Sequence, residues 1–164
     1  MLLAPRFPPV NAPLRTLALR AELGQRRTMS KPLRFVTKAE ALKEEYKGRT
    51  NYWLTRPELT GAKDLQVCEA TLPAGEGHAF HTHPELEEMI YVLAGEVEQW
   101  VETEKRVLRP GDSAHIPAGV VHATFNASRA DATILAILSP GASQGPFMVD
   151  VSGESPWKDL RARG

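Results

Sequence analysis

Cysteine is almost missing from this chain: Cys68 is the only one in 164 residues. That excludes an intrachain disulfide framework and any zinc site assembled from several thiolates. Long apolar runs are missing too, since none approaches the ~20 residues that a bilayer-crossing helix needs, so no membrane partner is expected. Nor is there an excess of either charge. Twenty Lys and Arg face twenty Asp and Glu, which gives no electrostatic reason to expect nucleic acid or an anionic membrane as partner. These absences leave a small neutral or mildly polar molecule as the default ligand or substrate. A lone thiol fits a reducing, cytoplasmic setting. The length suits one domain with a sizeable core rather than two.

Residues 1–28 differ in texture from the rest. They hold Arg6, Arg15, Arg20, Arg26 and Arg27 against a single acid, Glu22, together with Pro5, Pro8, Pro9 and Pro13. A short basic helix over 14–23 in an acid-poor leader is one pattern of an organelle transit peptide. The expectation taken here is plainer: a disordered leader, or a start assigned too early, with the native chain beginning at Met29. Arg26-Arg27 can be encoded by a purine run resembling a bacterial ribosome-binding site. An N-terminal mass that retains Met1 would refute the second alternative.

Residues 29–50 read as an N-terminal segment with a short helix, because Thr37 followed by Glu40 makes a capping-box pattern and Gly48 ends a run of helix formers. From residue 51 the chain becomes short β-prone runs separated by turn residues, the texture of an all-β barrel or sandwich. Candidate strands cover 52–55, 65–72, 79–83, 88–93, 96–102, 106–108, 113–116, 122–126 and 133–138. The barrel is expected over 51–141. A Gly/Ser/Pro-rich extension over 142–164 should wrap its outside, anchored by Phe147, Val149 and Trp157.

Histidine carries the chemistry, and all five histidines fall between positions 78 and 122. His81 and His83 are two apart, which on a strand puts both imidazoles on one face. A new strand then begins at Glu87-Glu88, from which a carboxylate can reach the same point. His122 opens another candidate strand after a Pro-x-Gly turn. Three neutral imidazoles and one carboxylate suit a borderline divalent transition metal: Fe, Mn, Ni, Cu or Zn.

At these residues the chain resembles the cupin superfamily. Its first motif, Gly, five residues, His-x-His, three or four residues, Glu, six residues, Gly, is matched by Gly75, His81, His83, Glu88 and Gly95. Its second, Gly, five residues, Pro-x-Gly, two residues, His, three residues, Asn, is matched by Gly111, Pro117, Gly119, His122 and Asn126. Fifteen residues separate Gly95 from Gly111, a short inter-motif spacing of the kind found in small microbial members. The resemblance implies a double-stranded β-helix, a jelly-roll barrel, with His81, His83, Glu88 and His122 as ligands of one metal. It also implies a homodimer. Glu88 is chosen over Glu87 because it lies six residues before Gly95, while Glu87 points to the opposite face of a regular strand.

If Glu88 faces the metal, Ile90 and Val92 line the same cavity, and Thr124 does so near His122. That is an apolar pocket with few proton-transfer groups, suited to a metal that does the chemistry with Glu88 as ligand and base. His78 is either a pocket-lining hydrogen bonder, even a fifth ligand, or a solvated loop residue. His115 reads as surface, and Tyr91 as packing outside the barrel. Glu98, Glu102, Glu104, Lys105 and Arg106 form a solvated hairpin, while Trp53 and Trp100 anchor a rim or an interface. The expected function is a metal-dependent oxidoreductase of dioxygenase type on a small organic molecule. The alternatives are a sugar isomerase, epimerase or decarboxylase in the same barrel, and a non-catalytic ligand-binding or sensor protein.

Overall fold

The computed structural model describes residues 32–161; the leader over 1–28 and the start at Met29 lie outside them. In chain order the described elements are β1 (Leu42–Tyr46), β2 (Arg49–Thr55), α1 (Pro57–Thr60), β3 (Gln66–Leu72), β4 (Gly77–Thr82), β5 (Glu87–Ala94), β6 (Val97–Val101), β7 (Glu104–Leu108), β8 (Ser113–Ile116), β9 (His122–Phe125), β10 (Ala132–Ser139), β11 (Val149–Asp150) and α2 (Trp157–Leu160). The strands form two antiparallel sheets, a six-stranded one ordered β1-β2-β3-β10-β5-β8 and a five-stranded one ordered β11-β4-β9-β6-β7. They face each other as the jelly roll expected from the motifs.

Strict alternation builds the larger sheet. In β3, Gln66, Cys68, Ala70 and Leu72 are buried while Val67, Glu69 and Thr71 are only half so. Each inward residue meets a partner of the same facing across the ladder, as in Ala70 with Ile134 and Ile134 with Val92. Leu72, Val92, Val97, Leu108 and Ile134 close the bottom of the barrel between the two sheets. Burying an aliphatic side chain of this size contributes ~1.5–3 kcal/mol. On the far side of the small sheet, Phe80, Trp100 and Phe125 pack beneath Trp157 and Leu160 of the C-terminal segment. Strand β9 is therefore buried on both faces, with His122 and Thr124 lining the cavity and Ala123 and Phe125 under the tail.

The N-terminal helix expected over 37–45 does not form. The capping box is present, with the Thr37 amide and hydroxyl both donating to Glu40 Oε2 at 2.9 and 2.7 Å, but it closes one turn and the chain then extends into β1. Helix preferences among these residues differ by only tenths of a kcal/mol each. Five backbone pairings with β2, Leu42↔Trp53 to Tyr46↔Arg49, outweigh them. Gly48, read as a helix stop, is instead the second residue of a two-residue hairpin turn. Its φ is +87°, and a Cβ there would lie 2.5 Å from the Gly77 carbonyl oxygen. Among the described residues, no helix is long and apolar enough to cross a membrane.

Candidate metal centre

His81 stands near the end of β4 with His83 just past it, His122 opens β9 beside it, and Glu88 comes from β5 of the facing sheet. Both sheets thus contribute to one point. The four side chains are buried, and one potential ligand atom from each lies within 4.8 Å of all the others. The two motifs are also laced by backbone: the Gly119 amide of the Pro-x-Gly turn donates to the His83 carbonyl at 2.8 Å.

Three hydrogen bonds settle the tautomers. Nδ1 of His81 is 2.7 Å from the Ala79 carbonyl oxygen, Nδ1 of His83 is 2.6 Å from that of Phe147, and Nδ1 of His122 is 3.0 Å from that of Val120. A carbonyl can only accept, so each Nδ1 carries the proton, and in the neutral ring Nε2 is then the atom that presents the lone pair. Burial, reinforced by neighbouring imidazoles, pushes His81 well below the ordinary value, and burial lowers His83 despite the opposing Glu88 carboxylate. Both rings are therefore neutral near pH 7. For Glu88 in the metal-free chain, burial acts upward but is outweighed by His122 and then His83, as those rings take up protons in acid, and by the charge of Arg49, which leaves the carboxyl below its usual range.

The Nε2 atoms of His81 and His122 and Oε2 of Glu88 are buried without a hydrogen-bond partner. His122 Nε2 and Glu88 Oε2 approach to 2.8 Å, yet neither is satisfied by the other. Buried polar atoms of this kind are rare and costly unless something outside the protein binds them. Converging imidazole lone pairs and a carboxylate, with every Nδ1 anchored, fit one divalent transition metal.

The centre opens into a cavity of about 120 Å3. Ile90 and Thr124 line it, the latter donating to Gln99 Oε1 at 2.7 Å. Val92 does not: it shares their facing but lies deeper, fully buried in the packed bottom of the barrel, where the backbone of Gly111 and Asp112 crosses it. His78 lines the cavity, its ring stacked on His81 with centroids 3.6 Å apart. Simple alternation would have put it on the other face from His81. A bulge in β4, where His78 pairs with Thr124 and His81 with His122, inserts one extra residue and turns both rings inward.

Glu87 is exposed and pairs at 3.1 Å with His115, itself exposed, while Glu88 is buried. Trp53 and Trp100 are both buried, bonding Glu44 and Glu98 through Nε1 at 2.6 and 2.7 Å. Asn126 is a loop clamp: it donates to the carbonyls of Leu72 and Ala130 at 2.9 and 2.7 Å and accepts from Ser128.

Sequence reasoning missed the other wall. Tyr46, Arg49, Asn51, Phe147 and Met148 also line the cavity, so it is less bare of polar groups than expected. Arg49, Asn51 and Trp53 alternate along β2, a signal that a strand begun at residue 52 could not contain. The tail does more than wrap the outside. Glu85 accepts from the amides of Gln144 and Gly145 at 2.6 and 2.9 Å, and this brings Phe147 over the His83 ring, centroids 4.9 Å apart.

A family model described as a cupin domain matches residues 68–138. A curated protein of Aquifex aeolicus (strain VF5), described as uncharacterized, is 43% identical over 60 residues. That match covers 37% of this chain and spans about half, 49%, of the Aquifex protein. Among solved structures, an RmlC-like cupin from Shewanella frigidimarina superposes with a TM-score of 0.59 at 21% identity, over 71% of this chain and 97% of that one. A predicted oxalate decarboxylase from Thermotoga maritima gives 0.58 at 21%, over 64% and 97%.

Proposed function

Because the chain belongs to the cupin superfamily, we propose that it holds one divalent transition metal on His81, His83, Glu88 and His122 and is a metal-dependent oxidoreductase of dioxygenase type on a small organic molecule. The observation that carries this reading is the set of three Nε2 lone pairs, fixed by three carbonyls and facing the partnerless oxygen of Glu88. When bound, the metal supplies Lewis acidity and redox chemistry in a site with room for a substrate beside it. The chain's own part is to hold that substrate against Ile90, Leu138 and the imidazole edges, to keep bulk water out beneath Phe147, and to accept a substrate proton at Glu88 Oε2. The homodimer implied by the family belongs to the same reading.

A second reading, an isomerase, epimerase or decarboxylase, gains support from one observation. Tyr46, Arg49 and His78 give the cavity the polar groups that such chemistry needs. The Thermotoga protein's decarboxylase name belongs to that protein, and at 21% identity the likeness speaks to fold alone. Elemental analysis of protein purified without added metal tests the shared premise. Oxygen uptake with phenols, thiols, diketones and short carboxylic acids then separates the readings: turnover that consumes oxygen supports the first, and turnover of the same panel without oxygen consumption overturns it in favour of the second.

A further inference from the structure

We infer that the ligand of this cavity is a small organic acid, its carboxylate held by Arg49 at the rim and its body lying against the apolar wall of the six-stranded sheet. This names the substrate class of the site proposed above and rests on that reading for its charge count.

The β1–β2 hairpin puts Arg49 there. Because Gly48 presses its turn against the Gly77 backbone, the first residue of β2 stands at the junction between the cavity and an outer groove, and Arg49, Tyr46, His78 and Met148 line both. The guanidinium is half-buried and lies against the Tyr46 ring, 4.5 Å from its centroid. Among the described residues it has no hydrogen bond and no ion pair. An arginine offers five donors in a planar fork, and one withdrawn from water without an acceptor is under-satisfied.

Among the described residues no acid pairs with it, Glu76 and Asp150 of the outer groove included. Glu44, on the adjoining strand, is already claimed by Tyr46 and Trp53 at 2.6 Å each and by Arg56 at 3.2 Å. Glu88 feels the charge of Arg49 without pairing to it and faces the histidines. Two residues along β2 on the same face, Asn51 Oδ1 is buried with no partner; as an acceptor it calls for a donor such as a ligand hydroxyl, not for the carboxylate itself.

Charge and size narrow the class. Three neutral imidazoles, one carboxylate, one divalent cation and one guanidinium leave the cavity with two net positive charges among mostly apolar walls, and an anion relieves them. A bidentate Arg–carboxylate pair is the strongest hydrogen-bonded match for that fork. The cavity of about 120 Å3 equals the share of about four waters in the liquid, the room of an acid of a few carbons. The even charge balance of the whole chain, which favoured a neutral ligand, says nothing about charge at this spot.

The test compares butyrate with butyramide, nearly equal in size and differing in charge, by calorimetric titration of the full metal-loaded chain and its Arg49→Gln variant. Metal content is measured on the same samples. Butyrate should bind roughly tenfold to a hundredfold more tightly than butyramide, the range of a charge-assisted pair. Arg49→Gln should abolish that preference while keeping its metal, and Arg49→Lys should keep part of it. Equal binding of the two probes by the wild type, binding of neither, or an unchanged preference in Arg49→Gln overturns the inference. Because the wild-type comparison needs no variant, a misfolded Arg49→Gln does not rescue it. Metal without preference sinks the acid and spares the metal centre; preference without metal does the reverse.

Discussion

At one end of the cavity His81, His83 and His122 each hold a carbonyl at Nδ1 while the Nε2 atoms of His81 and His122 have no partner; at the other, among the described residues, Asn51 Oδ1 has no partner and Arg49 has no acceptor, only the Tyr46 ring against its guanidinium. The contrast separates two kinds of incompleteness. Where the protein has spent backbone groups on orienting the rings, the missing partner must accept lone pairs in a fixed geometry, which describes a resident metal. Where a long flexible cation merely lacks an acceptor, the missing partner brings its own charge and shape, which describes a ligand that comes and goes. The histidines themselves also differ. His81 and His122 are held by carbonyls two residues back on their own chain segment, whereas His83 is held by Phe147, sixty-four residues on.

The sharpest way to break the first half of the comparison is to remove its rings. A His81→Ala, His122→Ala double variant should retain essentially no metal by elemental analysis, against one equivalent in wild type, while Arg49→Gln keeps its full complement. Equal metal in the double variant would mean that the orphaned Nε2 atoms are a packing accident.

The convergence of those four side chains could be read from the sequence because a two-residue spacing on a strand and a fixed distance to Gly95 are local facts. Gly95 itself is required: φ is +75° and a Cβ would meet the Ala132 Cα at 2.8 Å. Nine strands were placed on the same local logic. What could not be read depends on pairing. The facing of His78 hangs on a bulge relative to β9, the fate of residues 42–46 on a ladder with β2, and the tail's hold on His83 on a loop clamped by Glu85. In each case a non-local partner outweighed a weak local preference.

A smaller effect follows from protons. His78, His81 and His83 lie below their ordinary value of 6.5, chiefly through burial. The unfolded chain therefore binds protons that the folded metal-free chain refuses, and stability is present above about pH 6.5 and lost as pH falls below it. Glu88, also lowered, adds the same sign below its ordinary 4.5. Urea titrations of metal-stripped protein should show a loss approaching about 1.4 kcal/mol per pH unit for each imidazole that protonates only on unfolding. A flat profile from pH 7 to 5 would show that the rings are less confined than the structure has them. Metal should leave over the same acid range, since protons compete for the same lone pairs.

The difference among the histidines can be sharpened through the tail. Glu85→Ala removes the carboxylate that pins Gln144 and Gly145, loosening the Phe147 carbonyl from His83 while leaving His81 and His122 untouched. Loss of an orienting partner typically weakens metal binding roughly tenfold to a hundredfold. Because only one of three rings is affected and only indirectly, about tenfold is expected in competition with a chelator. Unchanged affinity would show that His83 is held by its strand alone.

The smallest effect comes from two neighbouring acids. Glu87 and Glu88 are adjacent, but strand alternation turns one to solvent and His115, the other to the centre. Glu87→Gln removes only an exposed pair, whose side chains are both more than half accessible. Such pairs contribute ~0–1 kcal/mol, so stability should shift by no more than about 0.5 kcal/mol and metal content not at all. Glu88→Gln keeps shape and removes charge from among three buried rings, so metal should fall sharply while the apo fold survives. If the two substitutions had equal effects on metal, the facing of β5 would be wrong, and with it the placement of Ile90 on the cavity wall.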